Sequence, residues 1–330
     1  MGLNEDLVSL FHENRGRFLS GEELAGKLGV SRTTIWNHIR VLKKLGYQFT
    51  AHTHVGYKLV AVPDRLLPQE ISFRLKTRFL GRIIHWHDEV ASTNDIALEL
   101  AAKGSPEGTA VVAENQSKGR GRFGRNWFSP HGKNLILSLV LRPSFAPGRV
   151  SQLGITTAVS AAACLRDLFE LPALIKWPND ICIRGKKTGG ILTELSAELD
   201  RIHHAVVGIG LNLNIEKEEI PTKLRPHCTS VRIETGKKCD RIEVAARLLN
   251  ELEQRYRCLL REGFSPIIDE WMDLSLTLGR RIEALSEGRK LTGYPTGLDE
   301  DGGLLIRLDS GITKKISGGD ITILSVAGKN

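Results

Sequence analysis

The chain has 330 residues, 41% hydrophobic and 25% charged, with a formal net charge of +8. Those proportions describe an ordinary globular protein of two or three domains, and no apolar run approaches the roughly 20 residues that cross a bilayer. The basic balance points to an anionic partner without saying which. The opening MGLNEDLVSLF lacks a basic segment ahead of a long apolar core, so it does not read as a secretory signal. Cys164, Cys182, Cys228, Cys239 and Cys258 are scattered and form no Cys-x-x-Cys pair, as expected of reduced thiols in a cytoplasmic protein.

Leu3–Glu13 reads as a first helix, with Leu7, Leu10 and Phe11 inward. Ser20 and Glu23 form a predicted capping box ahead of a short helix, Gly21–Leu28, that stops at Gly29. Ser31 then caps a longer helix reaching about Leu45, which is helix–turn–helix spacing. Ile35, Ile39 and Leu42 make its buried stripe. Ser31, Arg32, Thr33, Trp36, Asn37, Arg40 and Lys44 are the candidate DNA-binding residues on its start and outer side. Val41 also falls on the outer half and has no part in this reading. Tyr47–Thr50 and Gly56–Val60 can pair as a wing around a His52–Val55 turn. No acidic residue occurs from Ala25 to Pro63, the charge pattern of a phosphate-backbone binder and not of a helical protein-interaction module. The His-x-His pairs at 52/54 and 85/87 lack further ligands and do not read as metal sites. Pro63–Pro68 is the expected linker.

Strands are expected at Ile83–Trp86, Thr109–Glu114, Leu135–Leu141, Leu174–Trp177, Ile181–Ile183, Ile191–Leu195 and Ala205–Leu213. Helices are expected at Asn94–Lys103, Val150–Phe169 and Arg241–Arg261, the last capped by Asp240. Hairpin-like spacing of the later strands predicts a mixed α+β sheet and not a doubly wound parallel one. Beyond Leu278, strands at Arg281–Leu285, Lys290–Gly297, Leu304–Leu308 and Thr313–Ile316 predict a small SH3-like β-barrel.

Two segments carry the chemistry. Gly119–Trp127, GRGRFGRNW, alternates glycines with Arg120, Arg122 and Arg125, and no carboxylate occurs from Asn115 to Arg166. Glycine lets backbone N–H groups approach a ligand, and arginine presents a charged fork to carboxylate or phosphate. Such a loop suits an anionic small molecule. Lys176–Glu194, KWPNDICIRGKKTGGILTE, reads as a strand end, a turn and a hairpin, with Lys187 at the bend before Gly189-Gly190. It is not a P-loop, because Asp180 stands where that pattern needs its first glycine.

Together with Ser92-Thr93-Asn94, Gln116 and Gly208-Ile209-Gly210-Leu211-Asn212, these segments resemble the biotin–protein ligase family along essentially the whole chain. The N-terminal module narrows the resemblance to the bifunctional members, ligase and biotin-operon repressor in one chain. The implied architecture is a winged helix–turn–helix over 1–63, a mixed α/β catalytic domain over 64–277 and an SH3-like domain over 278–330. The implied substrates are biotin and ATP with Mg²⁺, joined as biotinyl-5′-AMP and transferred to a lysine of the biotin carboxyl carrier protein. The resemblance makes Lys187, Arg122 and Asp180 catalytic. It assigns biotin to Ser92, Thr93, Asn94, Gln116, Gly119, Arg120, Gly121, Arg122, Lys187 and Gly190. It assigns the adenylate to Arg122, Trp127, Lys176, Asn179 and Asn212, and gives Asp180 and Asn212 to the metal. Implied partners are operator DNA and, with biotinyl-AMP bound, a second copy of the chain; no membrane partner is expected. The competing readings are a lipoate–protein ligase, whose RR-x-x-GGG-type loop is absent, and a biotin-sensing repressor that performs no chemistry.

Overall fold

The computed structural model describes residues 2–286 and 288–324; residue 1 and residues 325–330, where the expected first and third domains begin and end, lie outside the described residues, as does residue 287. The chain starts with α1 (Leu3–Glu13), α2 (Gly21–Leu28), α3 (Arg32–Lys44), β1 (Gln48–His52) and β2 (Gly56–Ala61). Local signals set these bounds. Ser20 Oγ accepts from the Glu23 N–H at 3.0 Å, and Ser31 Oγ accepts from the Thr34 N–H at 3.1 Å. Ile35, Ile39 and Leu42 of α3 meet Leu7, Val8 and Phe11 of α1 in a small core, with Val8 in the buried place expected of Leu10. Glu23 does not complete the capping box. Arg17 and Lys27 sit close enough to claim its carboxylate. β1 begins one residue later than expected, because Tyr47 turns into the core and is 2% exposed.

The expected linker is not free chain. Leu66 and Leu67 are buried, the Leu66 N–H donates to Glu114 at 2.7 Å, and Pro68 opens α4 (Pro68–Arg74). Asp64 accepts from Arg241 at 3.0 Å, and Arg241 also pairs with Glu114 at 2.8 Å, both of those side chains fully buried. On α4 the buried Glu70 accepts from Tyr47 Oη at 2.8 Å and lies 3.1 Å from His12 Nε2. Burial opposes ionisation of Glu70, but His12, Tyr47 and Arg74 together hold its carboxyl below the ordinary value.

Next come β3 (Ile84–Val90), α5 (Thr93–Ala102), β4 (Ala110–Gln116), β5 (Asn134–Leu141), α6 (Ser151–Phe169), β6 (Ala173–Lys176), β7 (Asp180–Ile183), β8 (Lys186–Ala197) and β9 (Ile202–Asn212). The strands form one sheet in the order β3-β4-β5-β9-β8-β7-β6. β3 and β4 pair in parallel and the other neighbours antiparallel, which agrees with the mixed sheet read from the sequence. β5 is buried at every position, as its unbroken apolar run requires. α5 packs on one face through Ala97 and Ala101. α6 and α8 (Arg241–Glu262) pack together with the larger core. α4, α7 (Val231–Thr235) and α9 (Ser265–Leu274) were not expected; α4 and α7 are too short to show a period, whereas Ile267 and Trp271, one turn apart and buried, were a legible signal for α9.

The β7–β8 hairpin corrects the placement of Lys187. Its turn is Arg184-Gly185, where φ is +49° and +79°, a left-handed pair that matches strand twist. Lys187 is the second residue of β8. It pairs with Cys182, while Ile181 pairs with Gly189, so a bulge at Thr188 resets which side chains face the ligand side.

The C-terminal unit has β10 (Ile282–Ser286), β11 (Arg289–Leu298), β12 (Leu304–Leu308), β13 (Thr313–Ile316) and the unexpected β14 (Asp320–Ile323), in the order β13-β12-β11-β10-β14. Its core, including Ile282, Leu304 and Ile316, merges with that of the central sheet. Trp177 Nε1 donates to the Gly302 carbonyl at 3.1 Å, fixing this unit beside the β6–β7 turn.

Candidate functional site

A cleft opens over β8 and β9, roofed by the loop between β4 and β5. Its floor depends on two glycines of β9. A Cβ at Gly210 would come within 2.6 Å of the Trp127 indole, and one at Gly208 would collide with Asn94 Oδ1. Trp127 therefore lies flat on the sheet, and the α5 start sinks against it. Gly190 stands between Lys187 and Trp127, with 3.3 Å from its would-be Cβ to both. The Gly119–Trp127 loop is a closed turn. The Gly121 N–H donates to the Arg125 carbonyl at 2.6 Å and the Trp127 N–H to the Gly119 carbonyl at 2.9 Å.

One end of the cleft is neutral and polar. Ser92, Thr93 and Asn94 open α5 and are 3%, 3% and 4% exposed. The Thr93 N–H donates to Gln116 Oε1 at 2.8 Å, so the Gln116 amide must turn its NH₂ the other way. Ser138, 0% exposed on β5, lies 2.7 Å from Thr93 Oγ1 and 2.6 Å from Asn94 Oδ1.

The other end is cationic. Lys187 Nζ donates to Asp180 Oδ1 at 2.5 Å and stands 5.6 Å from the Trp127 ring centroid. Arg122 Nη1 donates to Asn179 Oδ1 at 3.3 Å, and burial pulls the guanidinium below its ordinary value. The loop cations are not without partners, as the carboxylate-free stretch suggested. Arg120 is held bidentately by Asp95 at 2.8 and 2.5 Å, with Glu194 at 3.4 Å, and Arg125 pairs with Asp320 of β14. Those carboxylates are remote in sequence and reach the loop only through the fold. Cys182 sits behind Lys187, and burial pushes its thiol up to about 12, which leaves it inert as a nucleophile.

Most of the expected residues line the cleft: Ser92, Thr93, Asn94, Gln116, Arg120, Gly121, Arg122, Trp127, Asn179, Asp180, Lys187, Gly190 and Asn212. Gly119 and Lys176 do not. Gly119 passes behind the loop, where a Cβ would be 2.9 Å from Gln116 and from the Trp127 carbonyl. Lys176 ends the edge strand β6. The Asn212 side chain is committed within the protein, donating to Thr229 at 3.1 Å and accepting from Asn134 at 3.4 Å. Ser138, Glu194, Gly208 and Asp320 were missed. Gly208 was visible as the first residue of the glycine motif; a serine in an apolar strand and two remote carboxylates carried no local signal.

In the N-terminal module Ser31, Arg32, Thr33, Trp36, Asn37, Arg40 and Lys44 are all exposed. Arg32, Thr33 and Trp36 line a groove against the wing turn His52–Tyr57, and the Arg40 guanidinium stacks 4.6 Å from the Trp36 ring.

Residues 86–212 match the biotin/lipoate A/B protein ligase family, residues 4–58 an HTH domain, and residues 277–324 the biotin protein ligase C-terminal domain. The chain is 40% identical to the bifunctional ligase/repressor BirA of Bacillus subtilis (strain 168), over 97% of this chain and 98% of that one. It is 32% identical to the bifunctional ligase/repressor BirA of Escherichia coli (strain K12), over 94% of each chain. Among solved structures, the biotin protein ligase from Aquifex aeolicus in complex with biotin and ATP superposes with a TM-score of 0.64 at 33% identity, covering 74% of this chain and 99% of that one. An HTH domain, a ligase domain and a ligase C-terminal domain in one chain, matched over nearly its full length by a bifunctional ligase/repressor, show that this protein belongs to the biotin–protein ligase family, in its bifunctional ligase/repressor branch.

Proposed function

We infer that this protein joins biotin to ATP as biotinyl-5′-AMP, transfers the biotinyl group to a carrier lysine, and uses its helix–turn–helix to repress transcription. One observation carries the reading: a single cleft has a neutral polar end at Thr93 and Gln116 and a cationic end at Lys187 and Arg122. A carboxylate oxygen of biotin attacks the α-phosphorus of ATP, forming a P–O bond as pyrophosphate leaves. The lysine amine of the biotin carboxyl carrier protein then attacks the acyl carbon of the mixed anhydride, losing a proton as AMP leaves. The substrates supply both nucleophiles, so the protein has only to hold anions together and stabilise charge on phosphorus.

Lys187 lies where it can bridge the biotin carboxylate and the α-phosphate, passing from Asp180 to the ligand. Arg122 faces the same phosphate and retains the adenylate. Asn179 orients Arg122, and Trp127 walls the nucleotide side. Asp180 Oδ1 accepts from Lys187; its second oxygen has no protein partner among the described residues and fits a water of ATP-bound Mg²⁺. Asn212, with its amide committed to Asn134 and Thr229, fits a role in holding β9 rather than direct metal ligation. Boundaries at 63/64 and 277/278 separate the three units.

The exposed Phe123, 68% accessible at the tip of the ligand loop, supports a homodimer surface completed when biotinyl-AMP is bound. Two recognition helices would then address two operator half-sites. Carrier and second copy compete for that surface, in the cytoplasm. Lipoate is a poorer fit, because its dithiolane ring offers nothing to Thr93 and Gln116. The deciding experiment supplies radiolabelled ATP with biotin or lipoate and resolves the adenylate by thin-layer chromatography. A biotin-dependent adenylate is expected. A lipoate-dependent product, or none, would overturn the reading.

A further inference from the structure

The helix–turn–helix module does not hang from the ligase on a free tether. Leu66 is buried in the core of the central sheet and its neighbour Leu67 in the small core of the module, so consecutive residues anchor the chain to two bodies. Trp86 of β3 packs against both cores. α4 belongs to the ligase side. Its Ile71 sits in the larger core, and Arg74 pairs with Asp240 and Glu243 at the start of α8, each at 3.5 Å. α4 also receives α1 of the module, where the His12 ring stacks on Phe73 with centroids 4.5 Å apart.

Glu70 lies at the centre of this joint. It is fully buried, and donors from both bodies meet its carboxylate. Tyr47 Oη donates at 2.8 Å, His12 Nε2 lies 3.1 Å from both oxygens, and Arg74 of the same helix donates at 3.3 Å. A carboxylate only accepts, so His12 Nε2 carries a proton here. Burial, and then Glu70 itself, pushes the Tyr47 hydroxyl far above its ordinary value, so it stays a donor. Swinging the module away would strip two of these three donors from a buried charge, which is strongly unfavourable. The seat of α1 also sets the recognition helix, because Leu7, Val8 and Phe11 pack on Ile35, Ile39 and Leu42 of α3. α3 is thus two helix contacts from α4, a lever of about 18 Å at ordinary interhelical distances. A tilt of about 10° at the joint would move it by about 3 Å, near the rise of one base pair.

We propose that Glu70 is a positioning residue for operator recognition: by gripping His12 and Tyr47 it fixes the angle of the helix–turn–helix on the ligase body, and so sets the half-site spacing that a dimer accepts. This rests on the proposed dimer, whose two recognition helices address two half-sites.

The test uses the full chain with biotin and ATP. The native protein selects a duplex with two half-sites from a random-sequence pool, and that duplex is rebuilt with its spacer lengthened or shortened by single base pairs. Fluorescence anisotropy measures the affinities. One base pair should cost the native protein about tenfold, the scale of a mismatched contact. In His12→Ala with Tyr47→Phe the carboxylate keeps only Arg74, and the same change should cost about threefold or less, because the module can tilt to follow the DNA. Glu70→Ala removes the acceptor and should flatten the profile in the same way. The duplexes are identical throughout, so the DNA's own deformability cancels in the comparison. Adenylate formation should stay native, and a duplex with one half-site should bind native and variant proteins alike, which an unfolded module would not allow. Either variant decides alone if the other does not fold. Folded variants that keep the native spacing profile within about twofold, or that lose the single half-site, overturn the proposal, as does a native dimer indifferent to spacing. A native protein that selects only single half-sites, or sediments on DNA as a monomer, overturns the dimer reading instead, and this proposal with it.

Discussion

Gly210→Ala tests whether the floor of the cleft sets the chemistry. The added Cβ would stand 2.6, 2.7 and 2.8 Å from Cε2, Cζ2 and Nε1 of Trp127. Ordinary contact begins near 3.4 Å, so the indole must lift by about 0.8 Å. It cannot slide sideways freely, because the Trp127 N–H is tied to the Gly119 carbonyl at 2.9 Å and Gly190 abuts the other ring edge. Overpacking of this kind costs about 1–3 kcal/mol of stability. The larger effect falls on rate. On the proposed mechanism, lifting the ring would press on Lys187, whose Nζ stands 5.6 Å from its centroid, and shift it off the line between carboxylate and phosphate. Displacement near 1 Å lowers reaction rates by about 100-fold, or about 2.7 kcal/mol of barrier. Single-turnover adenylate formation by quenched flow, with thermal melts in parallel, measures both quantities. Gly148→Ala is the control, since a Cβ there meets nothing within 4 Å. Adenylation by Gly210→Ala within about threefold of the native rate, at native stability, would show that Trp127 need not lie on the sheet, and the reasoning from the cleft floor would fail.

Lys187→Ala should cut adenylate formation by about 100-fold while moving the thermal midpoint only a few degrees, because the ammonium is part-exposed and pairs only with Asp180 among the described carboxylates. Arg122→Gly should release biotinyl-AMP faster and raise non-specific lysine labelling, read by blotting a bystander protein with streptavidin. Arg40→Ala should weaken operator binding in a gel shift and leave adenylation unchanged, since Arg40 stacks on Trp36 far from the ligand cleft. Glu70 has its carboxyl held below the ordinary 4.5, so its stabilisation is present above that pH and is lost as pH falls through the depressed value. The thermal midpoint of the native protein should therefore drop below pH 4.5, and Glu70→Gln should begin lower at neutral pH and lose that dependence.

What could be read from the chain alone was what neighbours in sequence decide. Ser20 and Ser31 cap helices three residues away, and the α3 stripe of Ile35, Ile39 and Leu42 repeats within two turns. The apolar run of β5 and the glycine–cation spacing of Gly119–Trp127 are equally local, and the family motifs are strings of such short patterns. Identity and domain order followed from them, and most of the residues they nominated line the cleft. The tertiary structure decided which distant groups meet. Arg125 finds Asp320 across 195 positions, Arg241 finds Asp64 across 177, and Asn94 finds Glu194 across 100. Nothing in a carboxylate's neighbours tells which cation it will face, because that choice is made by sheet order and by the bulge at Thr188. The same reason turned an expected linker into buried chain, since the Leu66 N–H meets Glu114, 48 positions away, only in the folded chain. Pair energies between charges fall off with distance in space and not in sequence, so a polar network becomes visible only after the backbone has brought its members together.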